Sequence, residues 1–254
     1  MSELLIDKSG GVLTITLNRL DKKNSLTRTM YAGMAQALAQ ADADATLSAA
    51  VIQGHETVFS AGNDIGEFLN RLSSGEESPA FQFLRAISVF SKPLLAAVCG
   101  PAVGIGTTML FHCDLVYAGD NAAFSMPFVN LGLCPEAASS YLAPQLMGYG
   151  RAAEALLLGE PFLAETALEM GLVSRIVPPS EASALAQRQA RKLAAKPLGS
   201  LIETKRLLKK SQSGIVAERL LEEGASFARL LTEPAAREAF TAFLEKRKPD
   251  FSKV

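Results

Sequence analysis

Between Lys92 and Arg151 the chain carries no Lys or Arg, and its only acids there are Asp114, Asp120 and Glu136. So long a stretch with so few charges has to fold as the inside of a domain. Around it, short apolar runs alternate with helix-like ones. Residues 12–18 alternate as a half-buried strand does, and Leu26 to about Ala41 places Met30, Met34 and Leu38 at helical spacing behind Ser25 and Thr27 as caps. Ala49–Ile52 reads as a buried strand, Leu94–Val98 as another, Gly104–His112 as a helix and Asp114–Ala118 as a strand. Strands and helices in this order predict an α/β fold with crossover connections. Ser73–Pro79 reads as a mobile loop. Past Val177-Pro178-Pro179 the pattern becomes helical throughout, with breaks near Pro197, Gly214 and Pro234. The apolar faces of those helices need a second surface, either another subunit or the parent core.

Two glycine-bearing segments stand where an apolar run gives way to a helix-like one. They are Phe59-Ser60-Ala61-Gly62-Asn63-Asp64-Ile65 and Pro101-Ala102-Val103-Gly104-Ile105-Gly106. A turn entering a helix leaves its first N–H groups without intrahelical acceptors, so such a pair can hold an oxyanion. The same glycines would also serve as simple strand ends or as a phosphate loop, and spacing alone leaves these readings open. The second segment does not complete GxGxxG, and no Gly-Lys-Ser/Thr follows either. Glu136 stands among apolar neighbours. Buried there, it would be desolvated and behave as a general base; at a helix start it would be an inert, dipole-favoured surface group. Asp114 and Asp120 read as turn or cap carboxylates, and His112 as a core histidine. Tyr141 and Ser139-Ser140 are possible pocket residues, and Lys22 and Lys23 fit either solvated charges or contacts to an anion.

Composition excludes several classes. The net charge of -1 gives no electrostatic reason for a nucleic-acid partner. No apolar run reaches a membrane-spanning length, and Met1-Ser2-Glu3-Leu4 lacks the pattern of a secretory signal. Cys99, Cys113 and Cys134 read as free thiols of a reducing compartment. With only His55 and His112 and no CxxC, no metal site is expected. The terminal Phe251-Ser252-Lys253-Val254 is not a Ser-Lys-Leu address, so a cytoplasmic location is expected.

Taken together, five segments resemble the crotonase superfamily, the enoyl-CoA hydratase/isomerase family, over essentially the whole chain. They are Asn18–Leu26, Phe59–Ile65, Gly100–Gly106, Cys113–Ala118 and Phe243–Pro249, in the family's order. The resemblance implies a spiral of ββα units over residues 1–196 that binds acyl-CoA. Residues 197–254 would then form a helical region that builds homotrimers, often paired into hexamers. It assigns the oxyanion donors to the N–H groups of Asn63 and Ile105. It places Ala61, Gly62, Asn63, Asp64 and Ile65 along CoA, and makes Lys22, Phe243 and Lys246 further CoA contacts. The two glutamates of the family's hydratases fall here on Thr108 and Phe128. The run Asn130–Tyr141 instead resembles the peroxisomal-type Δ3,Δ2-enoyl-CoA isomerases, whose base maps onto Glu136. That implies conversion of 3-enoyl-CoA to trans-2-enoyl-CoA by one base without metal or redox cofactor, the acyl-CoA being the substrate. Other enolate chemistry on acyl-CoA, such as hydration or thioester cleavage, and a non-catalytic acyl-CoA-binding subunit are the alternatives.

Overall fold

A computed structural model of the chain describes residues 2–66 and 78–254. A six-stranded sheet carries the fold, in the order β1 (Leu4–Ser9), β2 (Val12–Leu17), β3 (Ala49–Gln53), β4 (Leu94–Val98), β6 (Leu115–Gly119) and β9 (Arg175–Val177). Only β1 runs antiparallel to its neighbour. The remaining pairs are parallel and each links strands consecutive along this sheet, which requires a crossover between every two. A smaller sheet joins β5 (Pro101–Val103), β7 (Ala123–Ser125) and β8 (Phe162–Leu163). The chain steps from β4 into this second sheet at Gly100, whose φ is +63° and whose added Cβ would lie 2.0 Å from the Thr57 carbonyl oxygen. Only glycine fits there.

Parallel strands are covered on both faces, and this explains one departure from the sequence reading. β2 alternates in sequence as a half-buried strand does, yet five of its six residues are buried. On one face lies the main core, with Leu13, Ile15, Ile52, Leu94 and Val116. On the other, α7 (Pro179–Ala194) lays Leu185, Ala186 and Ala190 against Val12, Val51 and Leu95. Even Thr14 is covered, its hydroxyl accepting from Gln187 Nε2 at 2.9 Å.

The first helix, α1 (Arg28–Ala43), starts at Thr27, whose hydroxyl accepts from the Met30 N–H at 3.2 Å. Of the two expected caps, Thr27 is the one used. The stretch Ser73–Pro79, expected as a mobile loop, lies outside the described residues except for its end. There Ser78 caps and Pro79 opens α2 (Pro79–Val89). The helix expected over 104–112 is shorter, α3 (Ile105–Thr108), continued by a 3-10 turn to His112.

The C-terminal region consists of α8 (Leu198–Lys209), α9 (Ser213–Leu231) and α10 (Pro234–Leu244). Of the two surfaces the sequence left open, its apolar faces use the parent core: Val216, Leu220, Ala236 and Phe240 belong to the same cluster as the sheet. An ion pair between buried Lys205 and partly exposed Asp114 fastens α8. Lys205 Nζ sits 2.8 Å from Asp114 Oδ2 and donates to the Lys92 carbonyl at 2.7 Å, while Asp114 Oδ2 also accepts from the Leu94 N–H. The turn role expected for Asp114 is therefore larger, since it joins the start of β4 to the C-terminal helices. Lys205→Met should lower unfolding free energy by about 2 kcal/mol, the scale of losing one solvent-screened ion pair and one hydrogen bond from a charged group, because Asp114 is partly exposed and Lys209 Nζ remains 3.4 Å from it. A urea titration reads that difference.

Candidate active site

Glu136 sits in a turn before α4 (Ser139–Met147), not at the helix start that the sequence suggested. Ala137 and Ala138 intervene, with φ of 61° and 56°. Alanine resists that left-handed conformation by roughly 1–2 kcal/mol per residue, so the turn stands only because its surroundings hold it. Thr108 Oγ1 donates to Glu136 Oε1 at 2.7 Å. Nε2 of His112 lies 2.8 Å from the Ala137 carbonyl, and because a carbonyl can only accept, that nitrogen carries the proton. Ser139 donates through both N–H and hydroxyl to the Glu136 carbonyl. The fourth support is Glu223 of α9, whose carboxylate accepts from the N–H groups of Ala138 and Ser140 at 2.6 and 2.9 Å.

The segment around Asn63 is fixed by hydrogen bonding in register. Leu26 pairs with Asn63 as a parallel bridge, which uses the Gly62 carbonyl and the Asp64 N–H. The same pattern pairs Ser60 with Ala102 through the Val103 N–H and the Pro101 carbonyl. Bridging through neighbours leaves the N–H of Asn63 itself turned away, and among the described residues it has no acceptor. The Ile105 N–H opens α3 and has none either. The Asn63 side chain is anchored by Tyr31, whose hydroxyl donates to its Oδ1 at 2.6 Å. Gly62, with φ of 91°, allows the close approach: a Cβ there would lie 2.9 Å from the Val103 carbonyl oxygen.

Two cavities, each of about 270 Å³, share Asn63 and Phe227 in their walls. Glu136 and Glu223 line the first, which is otherwise mainly apolar, with Phe81, Leu84, Leu220 and Leu231. Ile105 lines the second, together with Ala61, Gly62, Ile65, Phe128 and Phe243. The structure thus gathers seven of the residues singled out in sequence, counting Asn63 and Glu136, around two adjoining spaces. Three others stand apart from both walls. Asp64 is ion-paired with Arg19 at 2.6 Å, and Lys22 and Lys246 are exposed on their own turns. Of the Ser139, Ser140 and Tyr141 group, none is in either wall.

Thr108 and Phe128 are both buried. Thr108 serves as donor to Glu136, and Phe128 meets Phe227 edge to face at 6.5 Å between ring centroids. Glu223 and Phe227 were missed in sequence. The available signal was the α9 stripe Val216, Leu220, Glu223, Phe227 and Leu230, in which one position of an apolar seam is a carboxylate. Burial raises the pKa of Glu223, opposed by the hydrogen bonds it receives from Ser140 and Ala138.

A parallel-stranded α/β core with two unspent backbone N–H groups beside adjoining cavities, one of them carrying carboxylates, suits an enzyme class, and the chain belongs to it: the enoyl-CoA hydratase/isomerase family, whose model matches residues 7–253. Among its relatives is 2,3-dehydroadipyl-CoA hydratase of Escherichia coli (strain K12), 33% identical over 252 residues and 99% of both chains. Another is enoyl-CoA delta isomerase 2 of Rattus norvegicus, 38% identical over 215 residues, 82% of this chain but only 55% of that protein. The crystal structure of an enoyl-CoA hydratase/isomerase from Pseudoalteromonas atlantica superposes with a TM-score of 0.95 at 36% identity, over 98% of this chain and all of the other. The expected fold, that of the crotonase superfamily, is therefore the one found.

Burial holds the His112 pKa down at about 4, against 6.5 for a free imidazole. Below pH 6.5 the unfolded chain takes up a proton that the native state refuses, so stability falls as pH drops towards 4. The loss should total roughly 3 kcal/mol. In His112→Asn, which keeps a donor but does not titrate, unfolding free energies from urea titrations at pH 7 and pH 4.5 should differ by about 2 kcal/mol less than in the unsubstituted protein, since the full loss is reached only below the native pKa.

Proposed function

We propose that the chain is a Δ3,Δ2-enoyl-CoA isomerase in which Glu136 is the single base. One observation carries this reading. The carboxylate held by Thr108 lines an apolar cavity beside Asn63, while the positions of the two hydratase glutamates hold Thr108 and Phe128. Hydration needs one group to activate water and another to protonate carbon; a double-bond shift needs one group that takes and returns the same proton.

In the proposed reaction the acyl chain fills the first cavity and the thioester lies at the junction by Asn63. The Asn63 and Ile105 N–H groups receive the thioester oxygen. Glu136 removes a C2 proton, and the electron pair spreads over the thioester oxygen and the neighbouring alkene. The two N–H groups stabilise that dienolate oxygen, by about 3 kcal/mol each where such donors have been removed elsewhere. Glu136 then returns the proton to C4, leaving the double bond between C2 and C3. No metal or redox cofactor enters this scheme. Backbone from Ala61 to Ile65 and the Phe243 ring, which line the second cavity, would accompany the CoA arm. Lys22 and Lys246, exposed, would meet its phosphates.

Hydration is the second reading. It is favoured by the name of the Escherichia coli relative and by a second carboxylate, Glu223, in the same cavity. Both Glu223 oxygens are, however, engaged by backbone N–H groups, which favours Glu136 as the proton carrier.

Glu136→Gln should lower isomerisation of a 3-enoyl-CoA by roughly 10³-fold while CoA-ester binding persists. The unsubstituted protein should act slowly or not at all on crotonyl-CoA in water. Rapid hydration of crotonyl-CoA would favour the second reading, and binding of CoA esters with neither isomerisation nor hydration would indicate a binding subunit.

We also propose assembly into trimers or paired trimers, supported by the exposed Leu207, Leu208, Leu221 and Leu244 of the C-terminal helices. Light scattering behind size exclusion should then give three or six times the 27.0 kDa chain mass; a monomer would refute it.

A further inference from the structure

Glu223 belongs to the C-terminal helices, yet its two carboxylate oxygens are both committed to the turn carrying Glu136. It is 6% exposed and forms part of the same cavity wall as Glu136. A carboxylate at the N-terminus of α4 is favoured by the helix dipole. What this one restrains is less ordinary. The N–H that Oε2 holds belongs to Ala138, the second of two successive left-handed alanines. Neither alanine has a side chain that could stabilise the conformation locally, as Asn or Asp would. Left to themselves they would relax to right-handed or extended backbone, and the direction of the Glu136 side chain would change with them.

We propose that Glu223 is a positioning residue: by gripping the Ala138 and Ser140 N–H groups it holds Ala137 and Ala138 left-handed and so sets the direction from which Glu136 enters the acyl cavity. This rests on the reading of Glu136 as the base. In this assignment Glu223 acts through the turn rather than on the substrate, its two oxygens being held by backbone donors. Glutamine at this position keeps the shape but turns an amide N–H₂ towards a backbone N–H, so one of the two contacts is lost. Glycine at position 138 adopts the left-handed region without restraint, and should therefore make the turn independent of Glu223.

The test is a double-mutant cycle of Glu223→Gln and Ala138→Gly, assayed on a 3-enoyl-CoA. Glu223→Gln is expected to lower kcat by at least about tenfold with KM within about twofold. The double variant should return to within about threefold of Ala138→Gly alone. A loss confined to KM would make Glu223 a wall of the acyl cavity. A lowered Tm with unchanged kcat would make it a plain helix cap. Either result, or a failure of glycine to rescue, overturns the proposal. Should Glu223→Gln not fold, Glu223→Asp, which keeps the charge on a shorter arm, is judged by the same split of kcat and KM and the same rescue. Glu136→Gln is assayed in parallel. If it keeps turnover, the base assignment fails and the positioning role with it. If it is inactive while Glu223→Gln matches the unsubstituted enzyme, the positioning role alone falls.

Discussion

Parallel pairing across Asn63 and Leu26 uses the backbone groups on either side of Asn63 and leaves its own N–H unspent. Much of the site follows from that geometry. The register of the bridge fixes where the donor points, and a second bridge between Ser60 and Ala102 ties this segment to the one that opens α3 at Ile105. Two donors from separate crossovers thus line one space without a side chain having to be ordered for the purpose. Preorganised backbone dipoles are the form of electrostatic stabilisation that demands least rearrangement during a reaction.

Glu136 is arranged by the opposite means. Its turn is intrinsically unfavourable and is maintained by side chains from three other elements, Thr108, His112 and Glu223. Two left-handed alanines disfavour the turn by roughly 2–4 kcal/mol together. Hydrogen bonds to a charged group contribute about 1.5–3 kcal/mol and neutral ones about 1 kcal/mol, so the set is large enough to offset the strain even against the cost of burying Glu223. Since one member comes from α9, the C-terminal helices are a structural part of the cavity.

What was legible in sequence divides along the same line. The strands β3 and β4, α1 and the four helices after Val177 declare themselves by hydrophobic period and by proline, and the glycine segments mark the places where backbone must approach backbone. Seven of the residues the resemblance selected, Asn63, Ile105 and Glu136 among them, lie around adjoining cavities, whereas Lys22, Asp64 and Lys246 do not. Burial of β2 on both faces was not legible, because α7, which covers it, lies far along the chain. The left-handed turn was not legible either, since alanine carries no signal for that conformation and the groups enforcing it are dispersed. Small strands such as β5, β7 and β8 are too short for any period to show.

Phe227 stands in the wall of both cavities and rests against Phe128. On the proposed reading the thioester is pinned at the junction, so a bound chain cannot slide to accommodate its own length. The ring then works as the zero mark of a ruler. Carbon positions along the tail are counted from a fixed origin, and regiochemistry is decided by where counting begins rather than by how much tail follows.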